Sequence, residues 1–113
     1  MKQELLTQNL RKDIPPLYAQ DGKGMGAVAY VKLFYAYGSG EWFITEFDGE
    51  DTCFGWAQNL GGYEGGELGY FSLKELEAIP ARLNGVVIPG VQGIERDIHF
   101  TPAPLNEIKE VRS

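Results

Sequence analysis

The chain has a single cysteine, Cys53, a single histidine, His99, and no Lys or Arg anywhere between Lys32 and Lys74. A lone cysteine forms no internal disulfide and no thiolate metal cluster. Thr52 and Phe54 beside it suggest a strand position. The acidic surroundings, with no histidine nearby in sequence, favour a buried structural thiol over a nucleophile. No apolar run is long enough for a signal peptide or a membrane span, so a cytoplasmic protein without membrane contact is expected. No Ser, Thr or Cys sits in an activating context, which removes support for hydrolytic triads. The net charge of −6 opposes attraction to DNA, RNA or an anionic membrane.

What is present has ordinary globular proportions. The 113 residues are 43% hydrophobic and 23% charged. That is the usual size of one domain, long enough to bury a core without staples. A single domain over residues 1–113 is expected, with ends 1–13 and 106–113 packing loosely. The stretch without basic residues spans 41 positions and holds seven acids: Glu41, Glu46, Asp48, Glu50, Asp51, Glu64 and Glu67. It also holds 11 of the 14 aromatics. Such a region binds cations, meets a basic partner, or is a sheet whose acids occupy the turns.

Residues 3–12 suggest a short helix ended by Pro15 and Pro16. Asp21-Gly22, Gly24 and Gly26 mark a loop. Ala27 to Tyr37 is the strongest strand pattern, apolar on both faces, as in a covered central strand. Gly38-Ser39-Gly40 makes a turn. Trp42 to Phe47 and Thr52 to Gln58 are the next strands. Gly61, Gly62, Gly65 and Gly66 mark a loop, and Glu67 to Phe71 a further strand. Ser72-Leu73-Lys74-Glu75 reads as a capping box opening a helix that ends before Pro80. Val86 to Ile88 and Ile94 to Phe100 are weaker strand candidates, and Thr101-Pro102-Ala103-Pro104 is excluded from a sheet interior. The expected class is α+β: an antiparallel sheet of about five strands, one main helix near 72–79, and short terminal helices.

The turn after Phe47 has two possible registers. A two-residue Asp48-Gly49 turn sets Glu46 opposite Asp51, a like-charge pair costing a few tenths to ~1 kcal/mol. A four-residue loop over 48–51 pairs Phe47 with Thr52, Thr45 with Phe54 and Phe43 with Trp56. The second register is preferred.

Four segments stand out together: Pro15-Pro16-Leu17-Tyr18, Thr45-Glu46-Phe47-Asp48-Gly49-Glu50-Asp51-Thr52, Glu67-Leu68-Gly69-Tyr70-Phe71-Ser72-Leu73 and Ile94-Glu95-Arg96-Asp97. With them the chain resembles a bacterial family catalogued only as a domain of unknown function, number 2958, from about Ile14 to Leu105. The resemblance implies cargo of plasmids, conjugative elements or phages, and some such proteins carry the label of single-stranded DNA endonuclease. It supplies no catalytic residues to carry over.

Three functional expectations follow. The first is a small acidic protein that binds a protein partner with a basic surface, its acids imitating a nucleic-acid backbone. Its binding candidates are Glu46, Asp48, Glu50, Asp51, Trp42, Tyr63 and Glu64, since an exposed Trp or Tyr favours a protein interface. The second is a metal-dependent single-stranded DNA endonuclease. Its carboxylates Glu46, Asp48 and Asp51 would hold Mg or Mn, helped by Glu67, Glu95 or Asp97, with His99 as acid/base or ligand. The third is a structural or regulatory domain without a ligand, with acids serving only turn geometry. The glycine-rich loop lacks a phosphate-binding signature, and Glu64 and Glu67 would repel phosphate. The aromatic set lacks the positive groove of a single-strand binder. If the carboxylates form a metal site, manganese or magnesium should raise the thermal unfolding midpoint by mass action. A Glu46→Gln/Asp51→Asn variant should lose that rise.

Overall fold

The apolar, aromatic runs of the base-free window become a continuous antiparallel meander in the computed structural model, which describes residues 4–112. Strands β1 (Val28–Ala29), β2 (Val31–Tyr35), β3 (Glu41–Phe47), β4 (Thr52–Gln58), β5 (Gly66–Ser72), β6 (Pro80–Leu83), β7 (Val86–Gln92), β8 (Ile94–Arg96) and β9 (Ala103–Pro104) follow one another. The main sheet has five antiparallel strands in the order β5-β4-β3-β2-β8. Two small pairs, β1 with β9 and β6 with β7, stand apart from it. The helices are short: α1 (Gln8–Asp13), α2 (Leu73–Glu77) and α3 (Lys109–Arg112). None of them is long and apolar enough to cross a membrane.

The expected main helix near 72–79 is corrected by the structure. Ser72 does cap it, accepting the Glu75 N–H at 3.1 Å. The helix covers only five residues, Leu73–Glu77. Pro80 biases Ile79 toward an extended backbone, so the helical turn closes early. The expected helix over 3–12 begins later, with Thr7 as cap. Leu5 and Leu6 precede it and are fully buried, and Ile108 is buried too. The two ends are therefore anchored to the core at these points; residues 1–3 and 113 lie outside the described residues.

The core has two parts, one on each side of the sheet. Leu5, Leu6, Ile14, Leu33, Trp42, Ile44, Phe47, Cys53, Leu73, Leu76 and Ile94 pack on one face. Phe43, Ala29, Leu105 and Ile108 pack on the other, joined by Trp56, Leu68 and Phe100. The strand covered on both faces is β3, buried from Trp42 through Phe47. The run Ala27–Tyr37 had been expected in that place. It instead bends at Tyr30, whose N–H still reaches the Ile44 carbonyl at 2.8 Å. Val28 and Ala29 turn away to pair with Pro104 and Ala103.

A β-bulge sets the geometry of β3. Phe43 pairs with Trp56, as the four-residue loop requires, but Phe47 pairs with Cys53 and Glu46 with Phe54. Thr45 is the extra residue. Strict alternation from Ile44 would aim Glu46 into the same core and Phe47 away from it. The bulge reverses this parity, so Phe47 joins Ile44 in the core and Glu46 leaves it. Gly55 permits the close approach: a Cβ there would sit 1.8 Å from the Phe43 carbonyl oxygen.

The chain over Tyr18 to Val28 seals the bulge. The Gln20 amide nitrogen donates to the Thr45 carbonyl at 2.9 Å and to the Val28 carbonyl at 2.9 Å. Its amide oxygen accepts the Val28 N–H at 2.7 Å. The buried Glu46 carboxylate accepts the N–H groups of Tyr18 (2.8 Å) and Gln20 (2.7 Å). Tyr18 is held there at φ +73°, a left-handed conformation. For a bulky side chain it costs roughly 1–2 kcal/mol.

Two weak strand candidates come out differently. Val86–Ile88 extends to Gln92 and forms a hairpin with β6 through Asn84-Gly85, at φ 54° and 80°. Ile94–Phe100 stops at Arg96, because Asp97 closes a turn: its carbonyl accepts the Phe100 N–H and its carboxylate the His99 N–H.

Glu46→Gln should destabilise the fold by roughly 2 kcal/mol, the scale of a buried charge-assisted hydrogen bond. The amide offers one acceptor oxygen where two N–H groups need one each. Urea unfolding checks this, and an unchanged midpoint would remove Glu46 as the fixing group.

Candidate functional site

The acids of the base-free window go to separate places. Glu46 is only 5% exposed and is taken up by the Tyr18 and Gln20 amides. Asp48 folds back on its own turn, where one carboxylate oxygen accepts the N–H groups of Glu50, Asp51 and Thr52 at 2.8–3.0 Å. The Glu50 and Asp51 amides hold its pKa below the ordinary 3.8. Asp51 accepts from the Lys74 N–H at 2.7 Å and from the Ser72 hydroxyl at 2.8–2.9 Å. Those bonds, the Lys74 amide first, lower its pKa as well. The Leu73 N–H donates to the Asp51 carbonyl, so this residue serves the start of α2 twice over. Glu50 is exposed at the tip.

These carboxylates do not converge. Among the described residues, no three His, Cys, Asp or Glu side chains stand close enough together to hold a metal ion. Glu67 lies exposed on edge strand β5, while Glu95 lies on β8 at the opposite edge. Four strand spacings separate them, ~19 Å. Trp42 is 8% exposed and packs in the core. Cys53 is fully buried, and burial pushes its thiol up to about 12, so it is neutral at physiological pH.

A different set lines one cleft, at the end of the sheet where β3 begins. The β2–β3 turn, the loop after β4 and the turn after β8 surround an open cleft of about 910 Å³. Glu41, Glu64, Glu95, Asp97 and His99 line it, together with Lys32 and Arg96. Of the sequence candidates, Glu64, Glu95, Asp97 and His99 are brought together here. Tyr63, beside Glu64, is 81% exposed.

The cations of this cleft are already engaged. Lys32 Nζ lies 3.2 Å from Glu41, 3.3 Å from Glu110 and 3.9 Å from Asp97. Its aliphatic stem passes Phe43, with the ammonium 5.9 Å from the ring centroid. Burial works against the Lys32 charge, but the carboxylates outweigh it and raise the pKa above 10.5. Gln58 extends the network, donating to Glu41 at 2.8 Å and to the Glu110 carbonyl at 3.1 Å, while accepting the Trp56 indole N–H at 2.8 Å. Arg96 turns to the N-terminal segment and donates to the Leu5 carbonyl at 2.6 Å. Among the described residues, Glu64 and Glu95 form no ion pair and face solvent. A cleft so arranged offers carboxylates to an incoming cation.

Sequence reasoning passed over Lys32, although a signal was there. A single Lys inside an apolar strand pattern requires a carboxylate partner. Asn84-Gly85 between Arg82-Leu83 and Val86-Val87 was a type I′ hairpin signal of the same kind.

Residues 4–110 match the model of a family described as a protein of unknown function, DUF2958, and the chain belongs to that family. No curated protein and no solved structure matches it.

Asp48 and Asp51 have depressed pKa values when folded, so they favour the folded state above their ordinary 3.8. That contribution is lost as the pH falls through the lower folded values. Urea midpoints for Asp51→Asn, measured from about pH 5 to pH 2, should fall less steeply than those of the unaltered protein. Cys53 should react with a thiol reagent only on unfolding; rapid labelling of the folded protein would contradict its burial.

Proposed function

We propose that this DUF2958 protein is a cytoplasmic binding protein whose acid-lined cleft receives basic side chains of a protein partner. The observation that carries this reading is the division of charge in the cleft. Its own cations, Lys32 and Arg96, are turned to acceptors of the same chain. Glu64 and Glu95 are left to solvent, and Tyr63 stands exposed at the rim. Basic side chains entering here meet carboxylates without first displacing an internal cation. The net charge of −6 adds steering toward a basic surface, and the acids occupy the place that nucleic-acid phosphates would take on such a partner.

The geometry gives the metal-dependent endonuclease less support. Of its carboxylates, Glu46, Asp48 and Asp51 are spent on backbone N–H groups, and Glu67 stands at the far edge of the sheet from Glu95. Manganese should therefore leave the melting temperature unchanged. A rise that Glu46→Gln/Asp51→Asn abolishes would restore the metal reading.

The cleft is tested by titrating the labelled protein with a hexa-arginine peptide and following amide shifts by NMR. Shifts should concentrate at residues 38–41, 59–64 and 95–99. Glu64→Gln/Glu95→Gln should weaken binding about five-fold, and added salt should weaken it further. No saturable shift at these residues, or an affinity indifferent to both substitutions, would overturn the proposal.

A further inference from the structure

At the other end of β3, ~20 Å from the cleft by strand rise, two tyrosines stand side by side in the open. Tyr18 is 67% exposed and Tyr70 57% exposed. Glu46, which accepts the Tyr18 N–H, lies in one cross-strand row with Tyr70, and Asp21 follows in the same turn, its N–H donating to the Tyr18 carbonyl at 3.1 Å. The Tyr70 ring is braced edge-on by Phe54, with ring centroids 4.8 Å apart. Phe54 belongs to the cross-strand row Glu46–Phe54–Tyr70. One aromatic surface is thus fixed from below by the sheet and from the side by the loop that Glu46 holds.

Tyr18 is not accounted for by its own packing. Its backbone adopts φ +73°, where glycine is the favoured residue, and the N–H is fixed by Glu46 at 2.8 Å. A glycine would keep that N–H and lose the strain. A strained bulky residue with a mostly solvated ring points to a role outside the fold.

We propose that Tyr18 and Tyr70 form a second recognition site, one that takes the guanidinium of an arginine on a partner protein. Aromatic faces attract cations, and a planar guanidinium also stacks on them. Asp21 and Glu46 add negative charge beside the rings. Among the described residues, the two cation–ring contacts, Arg11 on Phe47 and Lys32 on Phe43, leave this pair unused. The same acids oppose a nucleic-acid strand, whose phosphates would follow a stacked base into the site. This site does not rest on the cleft reading, because it shares no residue with the cleft.

The test follows the ring resonances of Tyr18 and Tyr70 during titration with N-acetyl-arginine amide. N-acetyl-citrulline amide serves as the uncharged isostere and a short oligothymidylate as the stacking control. Saturable shifts are expected with arginine, at least ten-fold weaker affinity with citrulline, and none with the oligonucleotide. Glu64→Gln/Glu95→Gln should retain the arginine response, which separates this site from the cleft. Tyr18→Gly should abolish the response while leaving the melting temperature unchanged or higher. No saturable shift with arginine, equal shifts with citrulline, or shifts only with the oligonucleotide would overturn the proposal. So would a lowered melting temperature in Tyr18→Gly, because the ring would then be a structural element.

Discussion

The rest of the molecule depends on how β3, covered on both faces, carries a carboxylate. An ionised Glu in a strand buried from Trp42 to Phe47 has to find hydrogen-bond donors or leave. The Thr45 bulge takes Glu46 out of the apolar core and turns it to the amides of Tyr18 and Gln20. The same bulge frees the Thr45 carbonyl, and Gln20 takes it up. Gln20 also closes on both backbone groups of Val28, so its amide acts as a one-residue strand partner. Sheet register, loop path and the start of β1 are therefore set by one connected network. Such a network specifies a single arrangement because each member left unpaired would cost desolvation without return.

The acid-rich composition takes on a different meaning in this light. Much of the negative charge is internal architecture: Asp48 shapes its turn, Asp51 caps α2, and Glu41 with Glu110 receives Lys32. Each of these carboxylates meets backbone amides or one cation, which is how a chain with few bases folds without strong self-repulsion. Some of the remaining acids lie at the two surfaces proposed above for recognition. Glu64 and Glu95 face the cleft, and Asp21 flanks the exposed tyrosines. Both proposed surfaces carry acids, and they lie at opposite ends of the same strand.

The edges of the sheet carry the irregular parts. The β6–β7 hairpin departs before β8, with Leu83 and Val86 exposed at its tip. The segment from Phe100 onward folds back over the Phe43 face, where Leu105 is fully buried. That crossing places Glu110 beside Lys32, so the terminal helix contributes to one wall of the network under the cleft.

The sequence by itself determined the local pieces. Alternation and turn chemistry were enough for an antiparallel α+β domain, for the Phe43–Trp56 pairing and for the Ser72 cap. They also sufficed to read Cys53 as a buried thiol, because each signal acts over a few residues. The family resemblance was legible in four short segments. Tertiary structure alone decided where the carboxylates went. Glu46 meets amides 26 and 28 residues away, and Lys32 meets Glu110 at a separation of 78. A one-residue bulge at Thr45 changed which face every later side chain of β3 occupies. Neither a long-range partner nor an inserted residue leaves a periodic mark on the chain, so the site emerged only when the strands were laid side by side.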